Sequence, residues 1–378
     1  MPDTLTTIGL ISDDDGGGAR AALIETDGER VLELGPTLSR EYSRDLKIWI
    51  QRAKKAAMEG RDGAADIGKA AGELTLAQIG IVEDLLDEAG LKAKNIDVIG
   101  FHGPTIFHQP PTDASTIGRS WQLGDPQVLA EETAIDVVSD FRAADLAAGG
   151  FGGPLTPIYY QLLAAHLDPP AEGSVGIVDI NRVTNITFVP PNGRPMELAN
   201  FDCGPGLATL QEWRDVKTND GRLRQKTKQS VDGYYCEETL QLLQLSPFFR
   251  RKPPKNASPA DFSLRPALDL SLEDGIATLQ ALIAQSIARA AEFAATPVSE
   301  WIICGEGRTS QEILALLADA SDAPVRAAEG VSWRADYLDA ECCAYLGVRS
   351  LRKLPLTFPK TTRVPNPVCG GSFARGRR

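Results

Sequence analysis

The chain has 378 residues, 43% hydrophobic and 24% charged, with a formal net charge of −12. That length and composition suffice for a sizeable core and a prior of two domains. The acidic balance argues against a broad surface for nucleic acid or anionic membrane.

No apolar run reaches the ~18 residues that span a bilayer. The opening Met1-Pro2-Asp3 lacks the basic and apolar regions of a signal peptide. The six cysteines form no CxxC pair, so a reduced, cytoplasmic protein is expected. With three histidines, a His-rich metal site is not expected.

Thr7 to Ile11 reads as a short buried strand that breaks into the turn Ser12-Asp13-Asp14-Asp15-Gly16-Gly17-Gly18. A second run, Ala21 to Glu25, leads through the hairpin signal Asp27-Gly28 to Val31–Leu34. A glycine loop between strands lets backbone N–H groups point at a phosphate. Three adjacent carboxylates would repel one unless a cation intervened.

Arg40 to Met58 is expected to be a helix. Leu76, Ile79, Val82, Leu85 and Leu86 mark an amphipathic helix over Thr75–Ala89, with Gly90 as its C-cap. Ile96–Phe101 reads as a strand, and strand–helix–strand implies an α/β unit with a partly parallel sheet. Residues 102–126 read as irregular and polar, at the C-terminal end of a strand, where α/β folds place ligand contacts. Asp136-Val137-Val138 reads as a strand. Arg142 and Asp145 share a helix face, as an ion pair or as ligand contacts. The glycines 149–153 after them suggest a hinge.

A second copy of the opening pattern begins near residue 175. Val175–Ile180 and Thr184–Val189 flank the turn Asn181-Arg182-Val183, and Met196–Phe201 runs into Asp202-Cys203-Gly204-Pro205-Gly206. Strand–turn–strand therefore opens both halves of the chain, a coarse internal repeat. Duplicated α/β domains commonly hold a ligand between them. Residues 214–229 read as a surface loop. Ser271 with Asp274 caps a helix running to about Ala295. Trp301–Cys304 reads as a strand ending at Gly305-Glu306-Gly307. Helices over Ser310–Leu317 and Tyr337–Arg352 follow.

Several irregular motifs together resemble the anhydro-N-acetylmuramic acid kinases over nearly the whole chain. They include His102-Gly103-Pro104-Thr105, Leu123-Gly124-Asp125-Pro126 and Asp140-Phe141-Arg142 through Pro154-Leu155-Thr156-Pro157. Further along stand Phe201 to Gly206, Pro253-Pro254-Lys255, Ala340 to Leu346 and Pro367 to Gly371.

The resemblance implies an α/β, duplicated, actin-like ATPase (ribonuclease H-like) fold with two domains around a central cleft. It places residues 1–139 with about 340–378 in one domain and 140–339 in the other. It implies phosphorylation of the 6-hydroxyl of a 1,6-anhydro amino sugar, with water opening the anhydro ring. ATP and Mg2+ serve the reaction, and a homodimer is implied. Asp202 is the implied base that activates water, and Glu341 stands beside the sugar. The sugar-side contacts implied are His102, Thr105, Asp125, Arg142 and Asp145. On the nucleotide side stand Ser12 to Gly18, Asn181, Arg182, Gly204, Gly206, Gly305 and Gly307. Read from the residues alone, Asp202 is equally an Asx turn before Gly204, and Glu341 a solvated helix position.

The nucleotide motifs depart from the family pattern. Acids replace the small and hydroxyl residues of the first phosphate loop, and Asn181-Arg182 replaces two glycines of the second. A second reading follows from these changes: a protein that keeps the sugar site as a sensor or regulator and has given up phosphotransfer. A hydrolase using Asp202 and Glu341 without ATP is a third, with nothing to assist departure of O6.

Overall fold

A computed structural model describes residues 3–13, 16–111, 116–167, 172–191, 193–219 and 233–377. The chain divides into two compact units, residues 1–162 with 336–378 and residues 163–335. Residues 140–162, grouped with the second domain from sequence, pack with the first unit.

The first unit opens on an antiparallel meander of β1 (Leu5–Ser12), β2 (Gly18–Thr26) and β3 (Val31–Glu41). Arg40 and Glu41 belong to β3, and the helix expected from Arg40 starts at Arg44 as α1 (Arg44–Met58). The stop signal is Ser43, whose hydroxyl accepts from the Leu46 N–H. The next helix, α2 (Ala65–Ala89), begins ten residues before its expected start at Thr75. Gly68 and Gly72 interrupt the apolar pattern of its first turns and hide them from sequence.

β4 (Val98–His102) pairs parallel to β1. Residues 102–126 are not irregular throughout, because β5 (Thr105–Gln109) and β6 (Arg119–Gln122) form an antiparallel pair. Its support is tertiary: Phe107 opposes Trp121, and the Arg119 guanidinium lies over both rings. α3 (Pro126–Thr133), β7 (Val137–Ser139), α4 (Ala143–Ala147) and α5 (Pro157–Ala164) follow.

The second unit repeats the opening. β8 (Ser174–Ile180), β9 (Val183–Val189) and β10 (Ala199–Pro205) form an antiparallel meander. β10 continues through Asp202, with a bulge between Asp202 and Gly204, where a turn was expected. Residues 214–219 close the helix α6 (Leu207–Asn219), which buries Leu210 and Trp213, instead of starting a loop. Residues 220–229 of that expected loop lie outside the described residues. α7 (Glu237–Leu243), α8 (Leu272–Ala290), β11 (Val298–Cys304), α9 (Gln311–Asp319) and β12 (Val325–Ala327) complete the unit. The Ser271 hydroxyl caps α8 through the Asp274 N–H, as its spacing predicts.

The chain then rejoins the first unit through α10 (Leu338–Leu351), α11 (Pro359–Thr362) and β13 (Ser372–Ala374). α10 lies across β1, β4 and β2. Gly9 of β1 and Gly100 of β4 are register partners beneath it. A Cβ on Gly9 would stand 1.7 Å from the Ala340 carbonyl oxygen, and one on Gly100 would stand 2.0 Å from that of Cys343. Ile8 and Leu10 point to the opposite face and join a core with Leu46, Ile50, Leu74 and Val82 of α1 and α2.

Among the described residues the first sheet runs β13-β7-β4-β1-β2-β3, and the second runs β10-β9-β8-β11-β12. In each, an antiparallel meander is followed by two strands parallel to its first strand. This shared order is the duplicated α/β plan of the actin-like ATPase fold. No helix among the described residues is long and apolar enough to cross a membrane.

Candidate active site

In the second unit, Asp202 sits in the middle of β10, at the bulge between Asp202 and Gly204. The residue is 9% exposed. Asn185 of β9 donates to Oδ1 at 2.8 Å, and the Ala257 N–H donates to Oδ2 at 2.7 Å. The acceptor relation expected of an Asx turn is therefore absent from these contacts: the carboxylate is held by a neighbouring strand and by a segment about fifty residues away. Asn185 is itself fixed by paired amide hydrogen bonds to Asn200. Burial pushes the Asp202 carboxyl above the usual range, opposed by Asn185, Ala257 and the charge of Lys255. A carboxylate with a raised pKa is a stronger base than one in water.

Three stretches of nucleotide-side sequence meet in this same unit. Asn181 and Arg182 form the turn between β8 and β9, and Arg182 is exposed there. The Asn181 side chain accepts from the Glu306 N–H at 3.0 Å, tying the turn to the loop after β11. Its carbonyl accepts from the Leu207 N–H at 2.6 Å, so the turn also abuts the start of α6. Gly206 is confined there, since a Cβ would stand 2.3 Å from the Asn181 carbonyl oxygen. Gly204 lies in β10, and Gly305 and Gly307 flank Glu306 at the end of β11.

The first phosphate-loop motif is in the other unit. Asp13 closes a tight turn through Gly16 N–H and Gly18 carbonyl contacts, and its carboxylate pairs with Arg20 of β2 at 2.5 Å. Ser12 is buried, 2.6 Å from the Tyr42 hydroxyl, and accepts from Gln78. Burial pushes the Tyr42 hydroxyl up to about 12, so it remains neutral. Gly17 accepts from the Tyr42 N–H. Asp14 and Asp15 lie outside the described residues.

Of the residues expected on the sugar side, His102, Arg142 and Asp145 come together after β4 and β7. His102 ends β4, and its Nε2 accepts from the Arg142 Nε at 3.1 Å. Arg142 also donates to the Gly152 carbonyl, and Asp145 accepts from the Gly152 N–H and the Thr362 hydroxyl. Arg142 and Asp145 thus share one glycine as a partner, and the run read as a hinge folds around both. Asp125 caps α3 through the Gln127 and Val128 N–H groups, and Thr105 accepts from Gln122. Glu341 is 1% exposed on α10, so the solvated alternative is incorrect. It accepts from the Tyr159 hydroxyl at 2.7 Å, and the Tyr159 ring leans on Tyr345. No group of three or more His, Cys, Asp or Glu among the described residues is placed to hold a metal ion.

A family model described as anhydro-N-acetylmuramic acid kinase matches residues 5–375. The chain belongs to the anhydro-N-acetylmuramic acid kinase family. A kinase of that name from Methylobacterium nodulans is 38% identical over 98% of this chain and 100% of its own. One from Paramagnetospirillum magneticum is 36% identical over 97% and 99%, respectively. A third, from Agrobacterium fabrum, is 38% identical over 99% and 100%.

For an anhydro-N-acetylmuramic acid kinase family member, sequence reasoning missed four parts of the site. Asn185 lies in the strand expected over Thr184–Val189, and its alternation with Thr187 along β9 is its signal. Lys255 was quoted within Pro253-Pro254-Lys255 without a role. Ala257 contributes a backbone N–H and has no side-chain signal. Tyr159 falls in α5, a helix for which the sequence reading made no prediction.

Proposed function

We propose that this chain transfers the γ-phosphoryl group of ATP to O6 of 1,6-anhydro-N-acetylmuramic acid and opens the anhydro ring with water. The observation that carries the reading is the buried, raised-pKa carboxylate of Asp202, held by Asn185 and Ala257, in a chain of this family. The water oxygen joins the anomeric carbon, and the bond from that carbon to O6 breaks. O6 takes the γ-phosphoryl group of ATP, and the water proton passes to Asp202. Glu341, kept in place by Tyr159, stands beside the sugar. Members of such a family serve cell-wall recycling, and a cytoplasmic location fits that role.

The chain's residues suit a polyphosphate at the second turn. Arg182 presents an exposed guanidinium, and Gly206 lets the start of α6 pack against the turn that carries it. Mg2+ bound with ATP would offset phosphate charge, and such a cation needs few protein ligands when phosphates supply the rest. At the first loop, the Asp13 charge is matched by Arg20, which lessens its conflict with phosphate. Asp14 and Asp15, the other acids behind the regulator reading, lie outside the described residues.

The test is purified protein with ATP, Mg2+ and 1,6-anhydro-N-acetylmuramic acid, followed for ADP and phosphosugar. Stoichiometric formation of both is expected. Absence of both, in protein that melts cooperatively, would overturn the proposal. Arg182→Ala should raise the KM for ATP about 10-fold or more, the loss expected for a charge-assisted hydrogen bond. Steady-state kinetics with varied ATP check this, and an unchanged KM removes Arg182 from the phosphate site.

A further inference from the structure

Lys255 is 7% exposed, a cation inside a unit that offers it little water. Its Nζ donates to the Phe248 carbonyl at 3.3 Å and lies 4.3 Å from the Phe248 ring centroid and 6.0 Å from that of Phe201. A buried lysine so placed needs a reason, because desolvating a charge costs free energy unless something answers it.

The backbone around it supplies one. The Lys255 carbonyl accepts from the Asp202 N–H at 3.0 Å, and the Ala257 N–H, two residues on, donates to the Asp202 carboxylate at 2.7 Å. Residues 255–257 thus clasp Asp202 at both its backbone and its side chain. The Lys255 side chain, inserted between aromatic rings, is the pin of that clasp.

We infer that Lys255 is a positioning residue for Asp202: its buried side chain anchors the 255–257 segment that holds the carboxylate and keeps a positive charge in its neighbourhood. This rests on Asp202 being the base. The cavity beside Lys255 has a volume of about 10 Å³, too small for a substrate group, so the lysine acts through Asp202. The Asp202 carboxyl is faced by Asn185, the Ala257 N–H and Lys255. Lys255 is faced by Cys203 on β10, by Arg251, and by Arg289 and Glu292 at the end of α8 and just after it. Burial pushes the Cys203 thiol up, so it stays neutral beside the pair. Among these groups Lys255 is the cation that favours the ionised form of Asp202. Its removal lets the carboxyl take up a proton at higher pH, and the base is lost on the acid side first.

The experiment is kcat against pH for the wild type, Lys255→Met, Lys255→Arg and Asp202→Asn. Lys255→Met keeps the packed stem and removes the charge. It should lose about tenfold in kcat on the acid limb and converge on the wild type as pH rises. Lys255→Arg, which keeps the charge, should hold the acid limb in place. Should the methionine variant fail to fold, Lys255→Gln is read in the same way, since its amide still donates to Phe248. A limb that superimposes on the wild type, or a loss equal at every pH, overturns the inference. Full activity in Asp202→Asn instead overturns the base assignment, whatever the lysine variants show.

Discussion

Asp202→Asn is expected to lower kcat by roughly 10²–10⁴-fold, the usual contribution of a positioned general base. The KM for the sugar should change far less, because the amide has nearly the same shape. The replacement keeps an oxygen for the Ala257 N–H, removes the ability to take a proton from water, and gives up the hydrogen bond that Asn185 donates to Oδ1. The thermal midpoint should stay near the wild type, since an amide in this pocket avoids burying a charge. The pH dependence of the wild type has a fixed sign. Burial raises the Asp202 carboxyl, so kcat falls as pH drops through a range above that of ordinary carboxylates. Turnover close to the wild type in Asp202→Asn, measured as ADP and phosphosugar together, would end the assignment.

The second large effect is on folding. Gly9→Ala and Gly100→Ala should each destabilise the protein by about 4 kcal/mol or more, in the range reserved for forced core overlap. At Gly9 the added methyl would meet the Ala340 carbonyl oxygen at 1.7 Å, and at Gly100 it would meet that of Cys343 at 2.0 Å. Both obstacles are backbone atoms of α10, so no rotamer change relieves them, and the helix must lift from the sheet. Glu341 rides on that helix, and the same variants should lose activity before they lose all secondary structure. Denaturant titration by circular dichroism reads the effect. A Gly9→Ala midpoint matching the wild type would mean that α10 does not lie this close to β1.

Much of the fold follows from local signals. The alternation and turns of β1 to β3 and of β8 to β10 gave two similar openings, and the sheets repeat one strand order. Gly90 and Ser271 act at helix ends, as their sequence positions predict. The errors fall where local pattern and tertiary need part company. The pair β5 and β6 depends on an arginine stacked across two aromatic rings, and α2 carries glycines that weaken its periodicity without ending it.

The candidate site divides the same way. Asp202 and Glu341 were named through the family resemblance, since read alone one is equally an Asx turn and the other a solvated helix position. What surrounds them was not named. Tyr159 reaches Glu341 across 182 positions, and Ala257 reaches Asp202 across 55. By itself the sequence determined the duplicated α/β plan, since strand periodicity, turn residues and caps act over a few neighbours. Only the tertiary structure decided which acid is buried, what holds it, and that Asp13 is matched by Arg20. Those outcomes depend on desolvation and on partners brought together by packing, and neither is written in residues adjacent along the chain.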